Sequence, residues 1–164
     1  MSANRWDELI ALRDRQRERA KGGVQVVRGD ALAQESNPQG LMRWYMHPAI
    51  ENTILNTLLF FEQELPPLSR SGRLKFQGGQ VIYILAGKGY TLVDGVKHPW
   101  KAGDVLNLPV RRDGIVVQHV NDDRETTAKF LACEPNFVDA AGVDRGSGFE
   151  LLENSTTYRA EDAP

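Results

Sequence analysis

Residues 71–133 constrain this chain more than any other stretch. They form a series of short β-prone runs separated by turn residues. The runs span residues 80–85, 90–93, 96–100, 105–108, 115–120 and 127–133. The breakers between them are Gly87-Lys88-Gly89, Asp94-Gly95, Ala102-Gly103-Asp104, Arg112-Asp113-Gly114 and Asn121-Asp122-Asp123. Asp94-Gly95 is the strongest hairpin signal, because both residues tolerate the positive φ of a type I′ turn. Runs this short and this regularly spaced predict an all-β sandwich or small barrel, not strand–helix–strand units.

The flanks read differently. Residues 4–21 are predicted to be helical, with Asn4 as the cap and Asp7 and Glu8 at the positive end of the dipole. Trp6, Leu9 and Ile10 fall at i, i+3 and i+4, a short apolar face expected to pack the helix against the outside of the barrel. Gly22-Gly23 ends it. The run Arg13-Asp14-Arg15-Gln16-Arg17-Glu18-Arg19 interleaves acids with bases and lacks aromatics. That pattern marks a solvated face with local ion pairs, not a nucleic-acid-binding arm.

Residues 24–27 suggest a short strand, and 31–40 a polar loop with Asn37-Pro38 as a turn. Residues 41–46 and 53–63 are β-prone, bounded by His47-Pro48 and Pro66-Pro67. Residues 134–136 close the last strand. Residues 137–149, with Gly142, Gly146 and Gly148, read as an ordered loop or short helix, and 153–164 as a fraying tail. The expected organisation is a helix and loop over 1–40, a barrel over 41–135 and an extension over 136–164.

A length of 164 residues suits one domain with its own core. The net charge of −2 gives no field favouring nucleic acid or a membrane surface. One cysteine, Cys133, rules out an internal disulfide framework. The chain starts with charged residues, Arg5, Asp7 and Glu8, where a signal peptide has an apolar region, so a cytoplasmic location is expected.

Four segments together carry a family resemblance: Gly87-Lys88-Gly89-Tyr90, Asp94-Gly95, Trp100-Lys101-Ala102-Gly103-Asp104-Val105 and Leu108-Pro109. They resemble the core pattern of the cupin superfamily, and within it the small single-domain cupins related to gentisate 1,2-dioxygenases. The resemblance covers somewhat less than the middle half of the chain. It implies a jelly-roll barrel with an N-terminal helix. It also implies a homodimer, because the N-terminal strands of cupins often pack across a dimer interface.

Metal-dependent cupins carry His-x-His on one strand, and alternation points both rings into the barrel. A glutamate follows, and a third histidine comes from a second motif. By the match around Ser71-Gly72 and Gly78-Gly79, the first pair falls on Leu74 and Phe76, with Lys75 between them facing away. The glutamate falls on Gln80, and the second-motif histidine on Val117, four residues before Asn121. Leu74, Phe76 and Val117 have no lone pair for a metal, and neutral Gln80 is a poor substitute for a carboxylate. The resemblance therefore implies a barrel without metal or cofactor. Leu74, Phe76, Gln80, Val117 and His119 are its candidate ligand-binding residues. Leu74, Phe76 and Val117 suit equally a ligand cavity or a filled core, since small barrels do either.

His119 is the candidate catalytic residue. It shares strand parity with Val117 and Asn121 and so faces the same side. A reference pKa near ~6.5 suits a general acid or base, and a buried neutral histidine bonded to its surroundings is the alternative. Gln80 either orients a ligand or satisfies a neighbouring backbone group. His47 and His98 each precede a proline and read as turn residues. Cys133 reads as a small core residue, and Arg111-Arg112 as a solvated turn.

Three functions follow from these residues. The first is a metal-free cupin that binds a small aromatic or carboxylated molecule. The second is a metal-independent isomerase, cyclase or lyase, with His119 as acid or base and Gln80 orienting the substrate. The third is a ring-cleaving dioxygenase of the gentisate type, which the resemblance suggests and the residues oppose.

Overall fold

The computed structural model describes residues 4–50, 52, 57–136 and 149–159. Its strands are β1 (Glu35–Asn37), β2 (Gly40–Met46), β3 (Leu58–Leu65), β4 (Arg73–Phe76), β5 (Val81–Ala86), β6 (Lys88–Val93), β7 (Val96–Lys101), β8 (Val105–Asn107), β9 (Ile115–Val120), β10 (Ala128–Pro135) and β11 (Glu150–Glu153). They form a six-stranded sheet in the order β1-β2-β3-β10-β5-β8 and a five-stranded sheet in the order β11-β4-β9-β6-β7. Every pairing of these strands is antiparallel. The result is an all-β jelly roll with one long helix, α1 (Arg5–Gly22), at its N-terminal end.

Turn chemistry places the strands. Asp94 and Gly95 take φ values of 50° and 83°, as a type I′ turn requires, and set Val93 opposite Val96. Gly87 carries the chain from β5 in one sheet to β6 in the other. It has φ of 76°, and a Cβ there would lie 2.8 Å from the Ala128 Cα. Only glycine meets both demands.

The inner faces of the two sheets share one core. Met42, Phe61, Leu65, Ile82, Ile84, Phe130 and Ala132 come from the six-stranded sheet, and Phe76, Trp100, Ile115 and Val117 from the five-stranded one. The outer face of the six-stranded sheet carries a charged cluster instead. Arg43 Nη1 lies 2.6 Å from Glu62 and 2.5 Å from Glu64, and Lys129 Nζ lies 3.0 Å from Glu64.

Several expectations change. The sheets extend beyond 41–135, because residues 35–37, expected to be loop, form β1, and 150–153 form β11. Residues 24–27 form no strand, although the Val24 N–H donates to the Asn52 carbonyl. The tail does not fray from residue 153. Ser155 is buried, its N–H donates to the Pro38 carbonyl at 2.7 Å, and its hydroxyl donates to the Arg70 carbonyl at 2.9 Å. The readings of 53–56, 137–148 and 160–164 lie outside the described residues.

The helix forms where expected, and the Asn4 side chain accepts from the Asp7 N–H at 3.0 Å. Its apolar face does not pack on the barrel. Trp6 is 67% exposed and Leu9 55%, which corrects the expected docking through Trp6, Leu9 and Ile10. So few apolar side chains in an otherwise charged helix offer too little area to offset the ordering cost of docking. The helix is instead held by its cap and by ion pairs such as Glu18–Lys21 at 2.7 Å. Among the described residues no helix is long and apolar enough to cross a membrane.

Candidate functional site

The two inner faces do not meet everywhere. Towards the end of the barrel where β2, β3 and β10 face β4 and β9 they enclose a cavity of about 500 Å³. That is ample for a small ligand, since ligand sites generally span roughly 300–1,000 Å³. Strand alternation supplies its lining. Met42 and Trp44 come from β2, Leu59, Phe61 and Gln63 from β3, Leu74 and Phe76 from β4, and Val117 and His119 from β9. Leu74 and Val117 are direct cross-strand partners. Leu74, Phe76 and Val117 thus border the cavity, and Phe76 and Val117 belong to the shared core as well.

His119 is the most constrained polar group. It lies 7% exposed with its ring edge-on to Phe130, centroids 4.8 Å apart. Its backbone is locked to Ser71. The His119 N–H donates to Ser71 Oγ at 2.9 Å, and the Ser71 N–H donates to the His119 carbonyl at 2.9 Å. Its cross-strand neighbour Thr91 places Oγ1 2.8 Å from His119 Nδ1. Burial pushes the imidazole pKa down from 6.5 to about 4, because the low-dielectric surroundings disfavour the cation. At neutral pH the ring is uncharged.

Gln80 sits in the segment leading into β5 and donates through Nε2 to Glu134 Oε2 at 2.9 Å. Glu134 is 4% exposed, lies on β10 opposite Leu59, and lines the same cavity. A carboxylate buried this deeply requires such a donor.

Leu74, Phe76, Gln80, Val117 and His119 thus all line one cavity. Sequence reasoning missed Glu134, Trp44, Phe61 and Gln63. By sequence Glu134 only closes the last strand, yet it continues the inward alternation of Phe130 and Ala132. His47 is a turn residue whose Nδ1 accepts from the Ala49 N–H at 3.1 Å, and it also lines the cavity beside Trp44. His98 is not a turn residue. It lies exposed in β7, opposite Thr91. Asn121 does not line the cavity, because its amide donates to the carbonyls of Leu65 and Thr126, both at 2.8 Å. Cys133 is half-buried on the opposite parity of β10, where burial raises its pKa.

Solved structures were compared with this fold. A predicted oxalate decarboxylase from Thermotoga maritima is 28% identical, with a TM-score of 0.51, covering 66% of this chain and 96% of that one. A cupin 2 conserved barrel domain protein from Salinispora arenicola is 23% identical, with a TM-score of 0.51, covering 75% and 93%. The polyketide cyclase RemF of Streptomyces resistomycificus is 16% identical, with a TM-score of 0.58, covering 85% and 89%.

The fold is that of the cupins.

No protein-family model matches the chain, and no curated protein matches it. Among the described residues no group of three or more His, Cys, Asp or Glu side chains comes together. Divalent transition metals need several such lone pairs.

Proposed function

We propose that this cupin binds a small aromatic molecule inside its barrel without a metal ion. The carrying observation is the cavity of about 500 Å³, walled by Trp44, Phe61, Phe76, Leu74 and Val117 and furnished with His119, Gln80 and Glu134. An apolar wall with a few placed polar groups is the general form of a small-molecule site. By the resemblance, the positions of the imidazoles in metal-dependent cupins fall on Leu74, Phe76 and Val117, which give the wall its apolar character.

The test joins two measurements on the purified protein. Denaturing extraction and mass spectrometry are expected to release an aromatic compound, or, from ligand-free protein, 2-naphthol is expected to quench Trp44 fluorescence saturably. Elemental analysis is expected to find well under one iron, manganese or zinc per chain. Close to one metal per chain, lost on mutating His119, would revive the dioxygenase reading. Absence of both a released compound and naphthol binding would sink the ligand reading.

Glu134 favours a second reading, a metal-independent isomerase, cyclase or lyase. A carboxyl group and a neutral imidazole that line one apolar cavity provide a proton acceptor and a hydrogen-bond donor. With its ring uncharged at neutral pH, His119 suits the donor role better than that of a protonated acid. We also propose a homodimer, supported by Val81, Tyr83, Leu85 and Val105, which are exposed on the outer face of the six-stranded sheet. Sedimentation at micromolar concentration should show a species of twice the chain mass, and a monomer alone would refute it.

A further inference from the structure

The volume of the cavity and the strand at its outer side bear on the size of the ligand. A dry cavity of about 150 Å³ in a protein core holds one benzene molecule. At about 500 Å³ this cavity has room for more than a single ring. The five-stranded sheet shows the same in its register. Leu151, Leu74 and Val117 are successive partners across β11, β4 and β9, and all three line the cavity. Neighbouring strands lie about 4.8 Å apart, so this apolar row runs about 10 Å from Leu151 to Val117.

The two ends of the row differ. Val117 is buried, two residues from His119 on β9. Leu151 and Phe149 each line the cavity and yet are 44% exposed, so they stand at its solvent side. The Phe149 ring stacks on Phe76, which carries the apolar surface inward from that rim. Apolar carbon left half in water at a cavity edge gains free energy when a ligand covers it. Leu152 is as exposed as Leu151, but strand alternation turns it to the other face of β11. The strand is anchored at its C-terminal end. Glu153 pairs with Arg70 at 2.8 Å, and the buried Ser155 holds the Pro38 and Arg70 carbonyls. A Cβ on Gly72 would lie 2.5 Å from the Pro38 carbonyl oxygen and 3.0 Å from that of Glu153, so glycine permits this close approach.

We propose that the cavity takes an elongated ligand of at least two aromatic rings, the inner one beside Val117 and His119 and the outer one against Phe149 and Leu151, which determine specificity for length. This rests on the reading of the cavity as a ligand site, and it adds to that reading the size of the ligand and the direction in which it lies.

The experiment titrates the full chain with phenol, 2-naphthol and 4-phenylphenol by calorimetry at neutral pH. The expected result is that 4-phenylphenol binds about tenfold or more tighter than phenol, with 2-naphthol between them. Leu151→Ala and Phe149→Ala should each weaken 4-phenylphenol about fivefold or more while leaving phenol within about twofold, because only the longer probe reaches the rim. Leu152→Ala, on the other face of the same strand, should change neither. In the unmodified protein, nuclear Overhauser contacts from the unsubstituted ring of bound 4-phenylphenol should reach the Leu151 methyls, and those from its hydroxyl-bearing ring the Val117 methyls. Phenol binding as tightly as 4-phenylphenol, equal losses of both probes in the two variants, or methyl contacts in the reverse order overturns the inference while leaving the cavity a ligand site. Failure of all three probes to bind overturns the ligand reading itself, and the inference with it. Should a variant not fold, the methyl contacts in the unmodified protein still decide the matter.

Discussion

Stability is expected to fall by about 3 kcal/mol as the pH drops from 6.5 to about 4, and His119 is the cause. Its pKa in the folded protein is about 4, against 6.5 when unburdened by burial. At about 1.4 kcal/mol per pKa unit the whole difference comes to about 3.5 kcal/mol, most of it lost by pH 4. The sign follows from proton counts. Between those two values the unfolded chain binds a proton at His119 that the folded chain refuses, so stability rises with pH across the window and is complete above it. The ring packs against Thr91 Oγ1 and Phe130, with Glu134 on the same cavity, and burial is the cause of the shift. The carboxylates act in a lower window. Asp123 is held at about 2 by the N–H groups of Glu125 and Thr126 and by Lys88. For Glu64, burial pulls upwards, yet Arg43 and Lys129 together keep it below its ordinary value. Depressed carboxylates lend stability that is lost as the pH falls through their folded pKa values, below the His119 window. Urea melts from pH 8 to pH 4 would measure the slope. His119→Gln, which keeps an N–H donor but cannot titrate, should flatten it, and an unchanged slope in that variant would refute the assignment.

Truncating Phe130 or Phe76 to alanine should cost about 3–5 kcal/mol in either case, but the second change should alter ligand affinity more. Phe130 is 1% exposed in the shared core and does not itself line the cavity, although its ring packs edge-on against His119, which does. Its cost should lie at the upper end. Phe76 is also buried, yet one side of it borders the cavity and its ring stacks on Phe149, with centroids 5.7 Å apart. Already short of neighbours on that side, it loses fewer contacts, and its cost should lie at the lower end. Phe76→Ala should still weaken or reshape binding of 2-naphthol, whereas Phe130→Ala, which reaches the cavity only through His119, should change affinity less per folded molecule. Thermal melts run beside fluorescence titrations separate the two. Equal effects on affinity would show that residue 76 is core alone.

Much of the barrel was legible because strand chemistry is local. Turn residues that accept positive φ, such as Asp94-Gly95, and β-prone runs between them determine where strands begin and end, and Ile115–Val120 falls where its pattern places it. Alternation then told which side of a strand Leu74, Phe76, Val117 and His119 occupy, since the period of 2 needs no tertiary information. The short partners were not legible. Glu35–Asn37 and Glu150–Glu153 have little strand character of their own and become strands because β2 and β4 offer them unpaired edges. The helix failed in the opposite sense: its local signals gave the element and its cap, but an i, i+3, i+4 stripe does not say whether a surface exists to receive it.

The same division runs through the site. The sequence by itself determined an apolar inner face, the lack of imidazoles at Leu74, Phe76 and Val117, and a histidine on the inward side at position 119. Whether that interior is filled or hollow was decided only by the tertiary structure, because cavity volume depends on how far apart two sheets settle around all their side chains at once. The tertiary structure alone also joined Gln80 to Glu134, 54 residues apart, and set Thr91 and Trp100 behind His119. Hydrogen-bond partners and burial are long-range properties. They turn a histidine with an ordinary sequence pKa into a neutral donor facing an apolar chamber.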